Sequence, residues 1–388
     1  MKILHTSDWH LGKTLYDFPL LEDQAEFVRW LLELLACERV DAVLLAGDIY
    51  DRPVPPGGAV ALYDHFLSEA VGRLGIPVLA IAGNHDSPGR LQFGSSLYRK
   101  SGYYIVGSAG AEGEPIRLTD RHGPVQFTLL PYLHLAEVRA QLPDQDIRSL
   151  GDAYRVLTGL LGPAPGARSV ALAHGTFADP GFCAGPLVTS DSELGIGGMD
   201  GVDSSCFAAF DYVALGHLHA PQRAGKNAWY SGSPLKYSLS EESQFKSVTL
   251  LELGAPGAPP EMRAVPVPAG RDVRTVTGTM EELLEPSFHR NRSFGDYVFA
   301  DIGGPECLYP MQKLRTLFPR LLGLRFMDSA GPDKLSGAVQ AGQVVSRLST
   351  RELFLRFCRE TTGAEIPPAY LEIVDDTLAQ LGEEEVCP

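Results

Sequence analysis

Asp8 and His10 flank a single tryptophan in Thr6-Ser7-Asp8-Trp9-His10. Asp48 and Asp51 sit in Gly47-Asp48-Ile49-Tyr50-Asp51, followed later by Gly83-Asn84-His85-Asp86, by His174-Gly175 and by Gly216-His217-Leu218-His219. These are the residue types that bind divalent cations: carboxylates, imidazoles and an amide oxygen, with no thiolate. Asp8, His10, Asp48, Asn84, His174, His217 and His219 offer seven donors. A single transition metal takes roughly four to six ligands, some of them water, so seven donors fit two ions that share one carboxylate. Two ions about 3.5–4 Å apart activate water and stabilise charge at a phosphorus centre. The mixed ligation suits Mn²⁺, Fe²⁺ or Zn²⁺ and argues against a structural zinc. Singly each motif is weak, since Gly-Asn favours turns and a histidine at a strand end is commonplace. The weight lies in all five occurring together, each after an apolar run.

Those runs are the elements that must position the donors. Ile3-Leu4, the stretch 42–46 and the stretch 77–82 are short and apolar and stop at the first three motifs. Between them, 20–38 and 60–74 carry apolar residues at helical spacing, among them Phe27, Trp30, Leu31, Leu34 and Leu35. Strands alternating with amphipathic helices predict βαβ units and a mostly parallel sheet. In such sheets ligands bind beyond the carboxyl ends of the strands, so distant motifs can meet at one edge. Further strands are predicted at 103–106, 125–130, 169–173, 211–215, 227–231 and 246–253. No long helices are expected between the later ones, so part of the sheet is antiparallel or forms a second layer. Gly254-Ala255-Pro256-Gly257-Ala258-Pro259-Pro260 reads as a turn, a strand follows at 261–267, and Pro266, Pro268 and Gly270 mark a boundary. Residues 271–335 mix strand-like stretches (274–276, 297–301, 324–327) with helical ones (280–284, 310–318). Two helices are expected at 349–361 and 367–382. The predicted domains are therefore 1–268, 269–338 and 339–388.

Of 388 residues, 44% are hydrophobic and 21% charged, as in a globular chain. Lys plus Arg is 33 against Asp plus Glu 48, a formal charge of −15. This weighs against a protein that grips nucleic acid by bulk positive charge alone, although not against a nuclease whose positive charge comes from metals or a partner. Two divalent ions would add about +4 where substrate phosphates arrive. Six scattered cysteines without CxxC spacing fit neither a disulfide framework nor a zinc ribbon. With no signal peptide and no run of ~18 apolar residues, the sequence reads as soluble and cytoplasmic.

The order Asp-x-His, Gly-Asp-x-x-Asp, Gly-Asn-His-Asp, His, Gly-His-x-His resembles the calcineurin-like metallophosphoesterase superfamily. The fuller stretches 5–12, 46–51, 82–87, 212–219 and 230–235 are similar to its SbcD branch, the nuclease subunits of bacterial SbcC–SbcD complexes. The motifs carry this over residues 1–250; beyond 270 only the layout does. The resemblance implies an α/β sandwich of two mixed β-sheets flanked by helices, then a small α+β capping domain and C-terminal helices. It implies two divalent ions, Mn²⁺ by the same likeness, one on Asp8, His10 and His219 and a second on Asn84, His174 and His217, with Asp48 bridging. His85 would contact the phosphate and help the leaving oxygen depart, as an imidazole titrating near neutrality can. Asp51 and Asp86 either hold a ligand histidine in its tautomer or cap a turn.

The resemblance further implies a DNA exonuclease and endonuclease in DNA repair, acting on ends and hairpins. Pro53 stands where serine/threonine phosphatases have Gly, and Asp86 where they have Glu, which favours the nuclease branch. Arg90, Gln92 and Tyr98 are candidates for lining the DNA path. Arg290 and Arg292, with Arg315, Arg320 and Arg325, are candidates for presenting DNA from the second domain. The apolar residues of the last two helices, among them Leu353, Phe354, Leu355, Tyr370, Leu371 and Ile373, would dock on an SbcC-type ATPase. A homodimer inside a heterotetramer follows from the same likeness. The alternatives are a phosphatase or nucleotide phosphodiesterase acting on small substrates, and a non-enzymatic DNA tether.

Overall fold

The computed structural model describes residues 1–108, 116–183, 185–193, 201–268, 270–285, 295–305 and 307–327, together with Leu355 and Leu371. The chain divides into two compact units. The first comprises Met1–Val276, Leu284–Ala300 and Met311–Leu324, and the second Thr277–Leu283, Asp301–Pro310 and Arg325–Pro388.

The first unit holds two six-stranded mixed sheets. In chain order its main elements are β1 (Lys2–Thr6), α1 (Leu21–Glu38), β2 (Ala42–Ala46), α2 (Gly57–Leu67), β3 (Val78–Ile81), β4 (Tyr103–Val106), β5 (Ile116–Asp120), β6 (Gly123–Leu130), α3 (Leu150–Leu161), β7 (Arg168–His174), β8 (Tyr212–Gly216), β9 (Gln222–Arg223), β10 (Ala228–Tyr230), β11 (Ser247–Glu252) and β12 (Glu261–Pro266). One sheet runs β12-β11-β1-β2-β3-β4 and the other β9-β10-β8-β7-β6-β5. Strands β1 to β4 pair parallel, as do β6, β7, β8 and β10. Strands β11 and β12 add antiparallel at one edge, β5 and β9 at the edges of the other.

Burial on both faces explains why the central strands read as unbroken apolar runs. Ile3, Leu44, Leu79 and Ile81 meet Phe127, Val170, Leu172 and Ala214 between the sheets. Their neighbours Leu4, Val43, Leu45 and Ala80 face outward onto Phe27, Leu31 and Leu35 of α1 and Phe66 of α2. The outer face of the other sheet, with Ala171, Val213 and Leu215, packs on Tyr154 and Leu157 of α3. This last helix corrects the expectation of no long helix among the later strands. Its signal is local: Ser149 Oγ accepts from Asp152 N at 3.1 Å and Asp152 Oδ2 accepts from Ser149 N at 2.9 Å, a reciprocal cap. Strand β5 is likewise an addition to the expected elements.

Beyond 270, strands Val273–Thr279, Tyr297–Gly303 and Leu321–Phe326 alternate with helices Met280–Leu284 and Pro310–Arg315, the mixture expected there. The two C-terminal helices expected at 349–361 and 367–382 lie outside the described residues, apart from Leu355 and Leu371. Among the described residues no helix is long and apolar enough to cross a membrane.

Candidate metal centre

Every motif follows the carboxyl end of a parallel strand: β1 leads into Asp8, β2 into Asp48, β3 into Asn84, β7 ends on His174 and β8 leads into His217. The two sheets touch where these ends meet. A side chain on Gly216 would overlap the carbonyl of Ala46, and one on Gly83 would overlap the carboxylate and amide of Asp48. Glycine at 216 lets strand ends from different sheets approach, and glycine at 83 lets two neighbouring strand ends of one sheet do so.

The turns after the strands are tight. Asp8, His10, Asp48 and His217 have φ of 54, 44, 50 and 109°, in the left-handed region that non-glycine residues rarely enter. The loops determine one another: Asp8 N donates to Gly47 O and His10 N to Asp48 O, each at 3.0 Å. Such backbone outliers persist where surroundings over-determine them, and they concentrate at functional sites.

The donors fall into two groups. Asp8, His10 and His219 are fully buried, with ligand atoms mutually within 4.8 Å; Asp48, His174 and His217 form a second such group. Asn84 Oδ1 lies 3.0 Å from His174 Nε2 and 3.1 Å from His217 Nδ1, which joins it to the second group. Asp48 Oδ2 stands 3.6 Å from His10 Nε2 and 3.5 Å from His174 Nε2, between the two. All seven candidate side chains therefore converge, with Asp48 between the two groups.

The donor chemistry fits divalent cations. His174 Nδ1–H donates to the Ala46 carbonyl at 2.8 Å, which turns Nε2 toward Asp48 and Asn84; burial disfavours its charged form, but the Asp48 carboxylate more than offsets this and raises the imidazole to about 9, so Nε2 holds a proton where a cation would sit. His10 Nε2 and His219 Nε2 face each other at 3.1 Å, where two lone pairs need a cation or proton between them. Burial drives the imidazoles of His10 and His217 toward the neutral, ligating form, His217 to about 3. Burial also lifts Asp8, to about 6, while the His174 and His219 imidazoles pull it back. Burial lifts Asp48 too, but His174, His10 and His85 more than offset it and hold the carboxyl well below the usual carboxylate range.

Asp8 is held in turn: its carboxylate accepts from Ser7 Oγ at 2.6 Å and from His217 N at 2.9 and 3.1 Å. His85 lies half-buried beside the first group, its ring 4.8 Å from that of His10. Its Nδ1–H donates to the Asp51 carbonyl at 2.9 Å and its backbone N–H to Asp48 Oδ1 at 2.9 Å, so Nε2 takes no part in either bond.

Asp51 and Asp86 separate in role. Asp51 Oδ1 accepts from Lys13 Nζ at 2.7 Å and stands 3.7 Å from His10 Nδ1, a buried nitrogen that makes no hydrogen bond among the described residues. Asp86 bonds to backbone instead. Its carboxylate accepts from Gly83 N, Ile49 N and Tyr50 N at 2.9–3.1 Å and so clasps the second motif to the third. Of the DNA-contact candidates, Arg90 is exposed on the short helix Pro88–Gln92, while Arg290 and Arg292 lie outside the described residues. Arg325 is paired with Asp301, and Arg320 donates to Gly295 O and lies over Tyr297. Lys13, Glu193, Glu241 and Lys246 adjoin the centre without having stood out in the sequence. No local pattern marks them, and only the tertiary fold brings them in.

The calcineurin-like phosphoesterase profile matches residues 1–221. A protein of Staphylococcus epidermidis named as the D component of the SbcCD nuclease is 32% identical over 327 residues, covering 84% of this chain and 85% of its own length. One of the same name from Staphylococcus saprophyticus is 30% identical over 325 residues, covering 84% of each. The profile match over more than half of the chain and the similarity along most of its length place this chain in the calcineurin-like phosphoesterase family, among the relatives of the D component of SbcCD nucleases.

Proposed function

We propose that this chain is a metal-dependent DNA nuclease, the catalytic subunit of an SbcCD-type repair complex, cutting phosphodiester bonds at DNA ends and hairpins. The observation that carries the reading is the convergence of seven donors in two groups on either side of Asp48. Asp8, His10 and His219 would hold one ion, and Asn84, His174 and His217 the other, with Asp48 shared and Mn²⁺ the favoured metal. When bound, the ions supply Lewis acidity and an activated water for attack at phosphorus. The chain's own part is to orient and to move a proton. His85, anchored through Nδ1 and its backbone N–H, presents Nε2 beside the metal groups and, as imidazolium, gives its proton to the departing oxygen. Lys13 and Asp51 fix the carbonyl on which His85 rests.

Residues 269–338 are read as the capping domain that helps present DNA, and 339–388 as the segment that docks on the ATPase. A homodimer accords with the exposed apolar side chains of Phe93 and Leu97, 77% and 70% accessible, beside a groove lined by Tyr50, Val60, Leu91 and Tyr103.

The test is Mn²⁺-dependent cleavage of a labelled duplex by wild type and His85→Gln, with bound metal counted in both. The variant should keep two ions and lose about 10²–10⁴-fold in rate, the usual worth of a positioned acid. If wild type leaves DNA intact but hydrolyses a phosphomonoester, the small-substrate alternative replaces the nuclease reading.

A further inference from the structure

His219 is held at every polar atom except one. Its backbone N–H donates to Glu193 Oε1. Its carbonyl accepts from Lys246 Nζ at 3.0 Å. Its Nδ1 lies 2.9 Å from Glu241 Oε1 and 3.0 Å from Ser192 Oγ, whose own proton goes to Glu241, leaving only Nε2 turned toward His10 and Asp8. Glu241 is fully buried and itself saturated. Oε1 also accepts from Ser190 and Ser192 hydroxyls at 3.0 and 2.7 Å, and Oε2 from Lys246 Nζ at 2.6 Å and Tyr237 N at 3.1 Å. A lone carboxylate at such a depth is very unfavourable; the Lys246 ammonium and the four other donors make it tenable. Burying an ion pair in contact with one imidazole is weak evidence for stability and better evidence for a constraint on that imidazole.

We propose that Glu241, with Lys246 behind it, is the positioning residue that locks His219 in its Nδ1–H tautomer and so dedicates Nε2 to the metal on Asp8 and His10. The inference rests on the metal-centre reading above. A carboxylate only accepts, so it demands a proton on Nδ1 and leaves Nε2 bare. An amide in its place behaves differently. Lys246 Nζ and Tyr237 N both only donate, so the amide oxygen of Glu241→Gln turns to them, and its NH₂ meets His219 Nδ1. That arrangement favours a proton on Nε2, the atom that must be free.

The experiment reads the tautomer directly, in metal-free protein with ¹⁵N-labelled histidine, with the His219 signals assigned by their loss in His219→Gln. Wild type is expected to show Nδ1–H and Glu241→Gln to show Nε2–H. In Mn²⁺ titrations the variant should lose about 10–100-fold in affinity at one of two sites, with the other unchanged. Wild-type His219 protonated on Nε2 overturns the proposal even if the variant fails to fold. So does a folded variant with the wild-type tautomer and both affinities intact, the result of a purely structural role. Fewer than two Mn²⁺ bound by wild type, with the tautomers as expected, overturns the metal-centre reading and leaves the hold of Glu241 on His219 standing.

Discussion

His5 should make the fold acid-sensitive by a calculable amount. It sits on β1, fully buried, with Nε2 3.1 Å from the Leu215 carbonyl and Nδ1 2.9 Å from Tyr212 Oη. The carbonyl only accepts, so Nε2 carries the proton and Nδ1 accepts from the tyrosine. The ring thus ties β1 of one sheet to β8 of the other, just before His217. Burial, against the partial relief of the Leu215 bond, lowers its pKa from 6.5 to about 3. Protons therefore bind the unfolded chain first. Between pH 6.5 and about 3 the unfolded state carries more protons, so stability is complete above that window and falls on acidification through it. The full depression corresponds to about 5 kcal/mol, and the part lost between pH 7 and pH 5 to about 2 kcal/mol. The assay is urea unfolding of metal-free protein at both pH values, wild type beside His5→Gln. Other acid-titrating groups are common to both chains, so the difference between the two losses isolates His5. Wild type should lose about 2 kcal/mol more than the variant over this interval. Equal losses would refute the argument that His5 is neutral through desolvation.

Gly83→Ala drives a methyl group into the Asp48 carboxylate and amide, so it should weaken metal binding by about 10–100-fold while the protein stays folded, measured by Mn²⁺ titration with circular dichroism as the control. Trp9→Ala should cost about 3–5 kcal/mol in urea unfolding, because the fully buried indole packs edge-on against Phe27, Tyr63 and Phe66. For the proposed homodimer, Phe93→Asp with Leu97→Asp should shift sedimentation from dimer to monomer without reducing bound metal; a wild type that sediments as a monomer, or a profile unchanged in the variant, would refute this face as the dimer contact.

Legibility in the sequence depends on how local the cause is. The seven ligand candidates can be read because each lies within a few residues of the end of an apolar strand, and parallel strands deliver their carboxyl ends to one edge. Asp86 is half legible: its type and place draw notice, but only the fold shows that it binds backbone N–H groups of another loop instead of a histidine. Helix α3 is hidden although its cap is local, since the apolar strand runs on either side dominate the pattern. Glu241 is out of reach, because its meaning comes from His219 and Lys246, which only the folded chain brings to it.

Asp8-Trp9-His10 shows why ligand motifs carry more than ligands. The two donors face the centre, and the residue between them faces the other way, into α1 and α2. Trp9 Nε1–H donates to Thr6 Oγ1 at 3.0 Å, Gln24 of α1 donates to the carbonyls of Trp9 and His10 at 3.2 and 2.8 Å, and Tyr237 Oη donates to the Trp9 carbonyl as well. A loop whose donors have left-handed φ values would relax if only an ion held it. Here the indole, the glutamine and the tyrosine fix it from the protein side, so the donors are in place before any cation arrives. Preorganisation of this kind removes ordering cost from binding, and it places that cost in the core, where Trp9 can be tested separately from the metal.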